Sequence, residues 1–320
     1  MRVVVTGSSG HLGEGLVREL RARGDDVVGL DRLPSAHTTH VGALGDAGFV
    51  RACCDGADVV LHTATLHKPH IASHRRAEFV ATNVAGTLHV LEAALDAGVR
   101  AMVFTSTTSA FGDALRPPPD APAAWIDETV AAVPRNIYGV TKVAAEDLCE
   151  LFHRQLGLPV VVLRTSRFFP EEDDDPERQR FDQTNLKVNE LLYRRVDLAD
   201  CVDAHLLAIE HAPRVGFARY VITATTPFAR GHVERLRRDA PAVVAELLPQ
   251  CEAVFRARGW RLLPSLDRVY DNTRARAELG WRPVVDFGEA VRRVQRGDEP
   301  FSQLSRSVGS KGYHRRPPSP

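Results

Sequence analysis

The sequence predicts an α/β protein, a doubly wound parallel sheet with a smaller, discontinuous C-terminal part. Two observations point there. Short apolar, β-branched runs alternate with amphipathic stretches through the first half of the chain, the pattern of strands joined by crossover helices. The first run, Val3-Val4-Val5, ends in Thr6-Gly7-Ser8-Ser9-Gly10-His11-Leu12-Gly13, and a helical pattern (Leu12, Leu16, Val17, Leu20) follows at once. Strand, glycine-rich turn and helix are the context in which such a motif binds a dinucleotide. Gly7 allows the turn, Gly10 the approach of a phosphate, and Gly13 close packing of helix on strand. The helix N-terminus then offers N–H groups and partial positive charge to a pyrophosphate.

Further strands are expected at Val27–Asp31, Ala57–His62, Ala101–Thr105, Leu158–Leu163 and Arg219–Thr223, with another at Leu191–Val196. Asp31 closes the second strand close to the ~20-residue offset at which an acid binds the adenosine ribose. Its charge repels the extra phosphate of NADP, so NAD is expected, although Arg32 is able to pair with that phosphate. Asp46 falls in a loop within reach of the adenine. Arg75 to Ala97 reads as a helix containing Asn83, Tyr138 onward as another, and Ala199 to His211 as a third. The stretch Gly231–Gly259 reads as mainly helical with a break at Pro241, and Asp271–Leu279 and Asp286–Val294 as two final helices. Residues 305–320, basic and proline-rich, are expected to form a flexible tail.

Composition narrows the function. Lys plus Arg and Asp plus Glu are both 41 in 320 residues, a balance that gives no support to nucleic-acid or membrane-surface binding. No apolar run approaches the ~20 residues that span a bilayer. The five cysteines are odd in number and have no C-x-x-C spacing, which fits thiols in a reducing compartment. With an N-terminus that enters a strand directly, the expected location is the cytoplasm.

Tyr138-Gly139-Val140-Thr141-Lys142 supplies the chemistry. Residues four apart share a helix face, so the phenol and the ammonium are expected to point into one space. A tyrosine, pKa ≈ 10, is a poor base near neutrality, and a nearby cation favours its phenolate. The hydroxyl cluster Ser106-Thr107-Thr108-Ser109, at the end of the fourth strand, is placed to hold a substrate oxygen. His67, His70 and His74 invite a metal reading, but Pro69 interrupts a helix there and no carboxylate completes a set, so no metal is expected. The acidic run Glu171–Asp175 reads as solvated loop.

Taken in order, these motifs, with Val59 to Ala64, Asn83-Val84-Ala85-Gly86-Thr87, Phe104 to Gly112, Asp200 and Leu279-Gly280-Trp281-Arg282-Pro283, make the sequence resemble the extended short-chain dehydrogenase/reductase family, in its NAD-dependent epimerase/dehydratase group. The resemblance covers nearly the whole chain. It implies a Rossmann-like NAD-binding domain at 1–166, rejoined by 194–222, and a substrate-binding part at 167–193 and 223–304. It implies cofactor contacts from Gly7, Ser9, Gly10, His11, Leu12 and Gly13 on the turn, and from Asp31, Arg32 and Asp46. Thr63, Ala64, Thr65, Asn83, Thr105, Tyr138 and Lys142 complete that set. Thr107 is the implied polariser, with Ser106 next to it, Tyr138 the acid/base, and Lys142 both ribose ligand and tuner of Tyr138. Substrate contacts are expected from His67, Thr107, Ser109 and Arg167, the last suited either to an anionic substrate group or to neutralisation by the acids of 171–175.

The expected reaction is transient hydride transfer between NAD and a secondary alcohol of a sugar or nucleotide-sugar. The alternative is an NAD(P)-dependent dehydrogenase or reductase of a polyol, sugar acid or other small alcohol or carbonyl. Ser166-Arg167-Phe168 stands where the family commonly has an asparagine, and Ile222 to Pro227 where it has a glycine-rich segment. The resemblance also implies a homodimer built on the helices near 75–97 and 138–155, through Leu88, Leu91, Leu95, Leu148 and Phe152.

Overall fold

A computed structural model describes residues 1–171 and 176–312. Seven strands form one parallel sheet: β1 (Arg2–Thr6), β2 (Asp26–Asp31), β3 (His40–Val41), β4 (Val59–His62), β5 (Ala101–Thr107), β7 (Val160–Thr165) and β8 (Phe217–Ile222). Their order is β3-β2-β1-β4-β5-β7-β8, so the chain winds outward from β1 to one edge and then from β4 to the other. The strands are apolar almost throughout because helices cover both faces.

On one face lie α1 (His11–Ala22) and the 198–215 helix, packed on Val3, Val5, Leu61, Val103, Val161 and Leu163. Helices α2 (Ala47–Cys54), α3 (Gly86–Asp96) and α4 (Ile137–Leu156) cover the other, over Val4, Val28, Val60, Phe104 and Val162. Local sequence sets their ends. Asn136 caps α4 by accepting from the Gly139 N–H, and Gly157 stops it at a φ of 73°. A second apolar cluster, built on Leu186, Tyr193, Phe228, Leu236, Phe255 and Phe287, forms the core of the C-terminal part. There β6 (Ala124–Ile126) pairs in parallel with β9 (Arg268–Tyr270).

Several elements depart from the sequence reading. Leu191–Val196 is a turn leading to an isolated bridge between Arg167 and Arg195, because the Leu191, Leu192 and Tyr193 N–H groups bond back to Val188, Asn189 and Glu190. The 231–259 stretch breaks at Asp239, which caps the Ala240–Leu247 helix; Pro241 sits in its first turn, where no N–H is needed. Strands β3, β6 and β9 carry no period-2 signal because each has two or three residues. The C-terminal segment is ordered as far as the described residues reach: Gln303–Val308 is a helix, and Ser310 and Lys311 bond Glu171. The rest of the expected tail, 313–320, and most of the acidic run, 172–175, lie outside the described residues. Glu171 itself is buried rather than solvated. Leu91 and Phe152, expected at a dimer face, are instead spent on the sheet's own core.

One corner ties the C-terminal part to the sheet. Asp200, in the 198–215 helix, accepts the N–H groups of Val284 and Val285 at 2.8 and 2.9 Å. The fully buried Trp281 donates its indole N–H to the Asp200 carbonyl at 3.0 Å. Trp281→Ala therefore removes a large buried ring and one hydrogen bond. Chemical denaturation should register a loss of about 3–5 kcal/mol.

Candidate active site

The C-terminal ends of β1, β4, β5 and β7 open into a cavity of about 1270 Å³. It lies at the switch in strand order between β1 and β4, where open α/β sheets bind their ligands. That volume exceeds the 300–1,000 Å³ typical of one small ligand and leaves room for two.

Gly7 turns at a φ of 73°, and its N–H donates to the Leu30 carbonyl. A Cβ on Gly13 would lie 2.0 Å from the Gly7 carbonyl oxygen, so only glycine lets α1 start this close to the strand. Gly10 caps α1 without a side-chain hydrogen bond, and Ser9, Gly10, His11, Leu12 and Gly13 all line the cavity. An uncapped helix N-terminus facing a large cavity fits a dinucleotide pyrophosphate. Asp31 accepts from the Ser9 N–H at 3.1 Å and from Leu33, and lines the cavity beside Arg32. Thr63, Ala64 and Thr65 form the facing wall.

Two expected cofactor residues stand elsewhere. Asp46 is exposed, caps α2 by accepting from Phe49, and does not line the cavity. Asn83, in the six-residue π-helical stretch Val80–Ala85, is buried with its amide fully used. Its oxygen accepts from Leu66 N and Thr65 Oγ1, and its nitrogen donates to Leu66 O and Thr141 Oγ1. It shapes the cavity wall without reaching it. Thr105 does line the cavity, with its hydroxyl bonded to His205.

Tyr138 and Thr107 both line the cavity, with the Thr107 side chain near enough to the phenol to favour its charged form. Burial pushes the phenol up to about 12, against the smaller lowering effect of Thr107. Thr107 Oγ1 also accepts from the Ser109 N–H at 3.1 Å. The Ser106 hydroxyl turns away to Glu146 at 2.5 Å, which leaves Thr107 as the hydroxyl beside Tyr138. Lys142 corrects the one-space expectation. One turn deeper, it is 1% exposed, does not line the cavity, and holds its ammonium 3.9 Å above the Phe104 ring. Burial brings it down to about 7, opposed by Cys149 and Glu146.

His67 and Arg167 both line the cavity. His67 and His70 pack edge to face with ring centroids 4.3 Å apart, and the His67 N–H donates to His70 Nδ1. Among the described residues no three His, Cys, Asp or Glu side chains gather as a metal set. The cavity wall is strongly basic: among the described residues it holds eight arginines against two aspartates. Arg167, Arg178 and Arg194 gather with Arg195 around the buried Glu190. Burial pushes that carboxyl up, but the guanidiniums of Arg194, Arg195 and Arg167 outweigh it and hold it well below the usual range. Sequence reasoning missed Glu190 and every cavity arginine except Arg32 and Arg167. The only signal was the density of arginine around 178–195.

The NAD dependent epimerase/dehydratase family model matches residues 3–222. Across 88% of this chain and 92% of that protein, the sequence is 26% identical to the UDP-glucose 4-epimerase of Lactobacillus helveticus. It is 31% identical to the 3 beta-hydroxysteroid dehydrogenase/Delta 5-->4-isomerase of Mycobacterium tuberculosis, over 91% of this chain and 88% of that one. A short-chain dehydrogenase/reductase superfamily protein from Agrobacterium tumefaciens, solved with bound NAD, has the same fold at a TM-score of 0.65. It is 24% identical, and 93% of this chain and 98% of that one are covered. The UDP-glucose 4-epimerase of Thermotoga maritima, solved with UDP-glucose, aligns at 0.63 with 22% identity over 93% and 99% of the two chains. With a glycine-rich turn between β1 and α1, Thr107 and Tyr138 lining one cavity and a family match over most of its length, the chain belongs to the NAD-dependent epimerase/dehydratase family.

Proposed function

We propose that this enzyme acts on a secondary alcohol of a nucleotide-sugar, oxidising it transiently with NAD in an epimerase- or dehydratase-type reaction. The cavity carries the reading: its volume leaves room beyond a dinucleotide, and its wall is rich in arginine. Arg167, Arg178 and Arg194, gathered at Glu190, all line this cavity, and guanidiniums of this kind suit a diphosphate. A second reading, a dehydrogenase of an apolar alcohol, has the hydroxysteroid relative behind it. The cavity wall, with eight arginines against two aspartates among the described residues, favours the anionic substrate.

NAD would be held by the turn from Gly7 to Gly13, by Asp31 on the adenosine ribose, and by Thr63 to Thr65, and it supplies a hydride acceptor. Thr107 holds the substrate oxygen and Tyr138 removes its proton as the C–H bond breaks. Without the cofactor the phenol stays protonated across the neutral range, so a nearby positive charge must bring it down before it acts as base. Lys142 fills that role by turning from Phe104 toward the cavity. We also infer a homodimer through the outward faces of Val80–Asp96 and α4, where Val80 and Val140 are exposed and Val84, Ala144, Leu148 and Leu151 half-buried. Five buried free thiols suit a reducing, cytoplasmic setting.

Tyr138→Phe keeps the ring and should leave NAD binding intact while lowering single-turnover reduction of NAD by ~10²–10⁴-fold. A rate equal to the parent's would remove Tyr138 from the chemistry. By calorimetry NAD should bind more tightly than NADP. Asp31→Ala should narrow that gap by about ten-fold, the effect of one charge-assisted hydrogen bond. Light scattering at micromolar concentration should give a dimer, and Val140→Glu with Val84→Glu should give monomers.

A further inference from the structure

The segment after β7 crosses the cavity and is fastened at both ends. At its start the Arg167 N–H donates to the Arg194 carbonyl, and Val196 donates to the Arg167 carbonyl. Phe169 then lies between the two walls of the crevice. Its ring centroid is 6.1 Å from His11, in the turn after β1, and 6.4 Å from His67, in the loop after β4. Two residues on, Glu171 is buried with its carboxylate 2.9 Å from His11 Nε2. The same carboxylate oxygen accepts from the Lys311 N–H at 2.8 Å and the Ser310 hydroxyl at 3.1 Å. The Lys311 ammonium pairs with Glu14, in the first turn of α1.

The C-terminal segment that supplies these contacts is itself anchored. Asp197 accepts from the Ser302 N–H and the Ser305 hydroxyl, both at 3.0 Å. Leu304 packs toward Gly15, its Cδ2 3.6 Å from where a Cβ would stand. Residues more than 290 positions apart thus close one ring: Glu14 and His11, Glu171, Lys311.

We propose that Glu171 and Lys311 form a latch that holds the Arg167–Glu171 segment across the dinucleotide crevice, so that NAD stays enclosed from one turnover to the next. The latch rests on the reading that the crevice binds NAD. It deepens that reading, because an enzyme that keeps its dinucleotide must have the bound NADH reoxidised in place, as happens when the hydride returns to the oxidised substrate. A dehydrogenase that exchanges cofactor every cycle has no use for such a closure. The charge arrangement suits the role. Glu171 is held at about 2, burial opposing and the His11 and Lys311 contacts prevailing, so the carboxylate stays ionised at working pH.

The test uses the full chain loaded with NADH and chased with excess NAD, the release rate being read from NADH fluorescence. Lys311→Ala, Glu171→Gln and removal of residues 309–320 should each release NADH about ten-fold faster or more, the loss of one charge-assisted contact. Lys311→Arg should keep the parent's rate. Where Glu171→Gln fails to fold, Lys311→Ala and the shortened chain decide. Release at the parent's rate in both overturns the latch and leaves the cofactor reading standing. A parent protein that takes up no NADH overturns both.

Discussion

The buried carboxylate of Glu146 is the joint on which the active-site geometry depends. It lies on α4, one turn past Lys142 and two past Tyr138, and reaches three strands at once. The Ser106 hydroxyl of β5 donates to it, Arg164 of β7 grips it through Nε and Nη2, and Arg219 of β8 adds a bond at 3.0 Å. Helix and sheet are therefore fixed in register by one acid, immediately beside the Thr107–Tyr138 pair. Breaking a buried pair of this kind costs about 3–5 kcal/mol, because the partners stay charged and out of water. Arg164 also covers the Phe111 ring at 4.9 Å, which carries the constraint into the loop following Thr107.

A second network fixes the opposite wall. Thr6 Oγ1 accepts the N–H groups of Thr63 and Ala64, so its own proton goes to His62 Nδ1 at 2.7 Å. His62 is then neutral with its proton on Nε2, donating to Thr87, whose hydroxyl donates to the Asn83 carbonyl at 2.6 Å. Burial, with Lys142 nearby, brings His62 down to about 3 and keeps it in that form. Asn83 passes the chain of bonds on to Thr141, next to Lys142. The glycine-rich turn and the helix that carries Tyr138 are thus joined through the protein interior by Thr6, His62, Thr87, Asn83 and Thr141, none of which lines the cavity. In a low-dielectric interior each of these bonds is costly to leave unmade, so the arrangement is rigid.

Against these fixed walls, the basic cavity end depends on side chains with reach. Glu190 gathers arginines that come from the segment after β7 and the 176–195 stretch, where the chain leaves the sheet. Their stems need no particular strand register, so this part of the protein depends less on the sheet than the Thr107 and Tyr138 positions do.

The sequence by itself determined the sheet, the turn and the places of Thr107 at a strand end and Tyr138 at a helix start, because each rests on short-range physics. Hydrophobic period located the long strands, and glycine spacing located a turn that no side chain could enter. The tyrosine's helical position settled which wall it occupies. Asp46 and Asn83 looked like ligands in one dimension and are a helix cap and an internal clamp in three. Their polar atoms had nearer partners, which only packing reveals. Lys142 shares a helix face with Tyr138, but one turn of rise carries its ammonium under the sheet to Phe104. Contacts such as Glu171 with Lys311, or Glu146 with Arg219, join residues far apart in the chain, so no local pattern encodes them. Charge pairing across such distances is decided by the tertiary structure, because Coulomb energy depends on separation in space and on burial, neither of which is written in neighbouring residues.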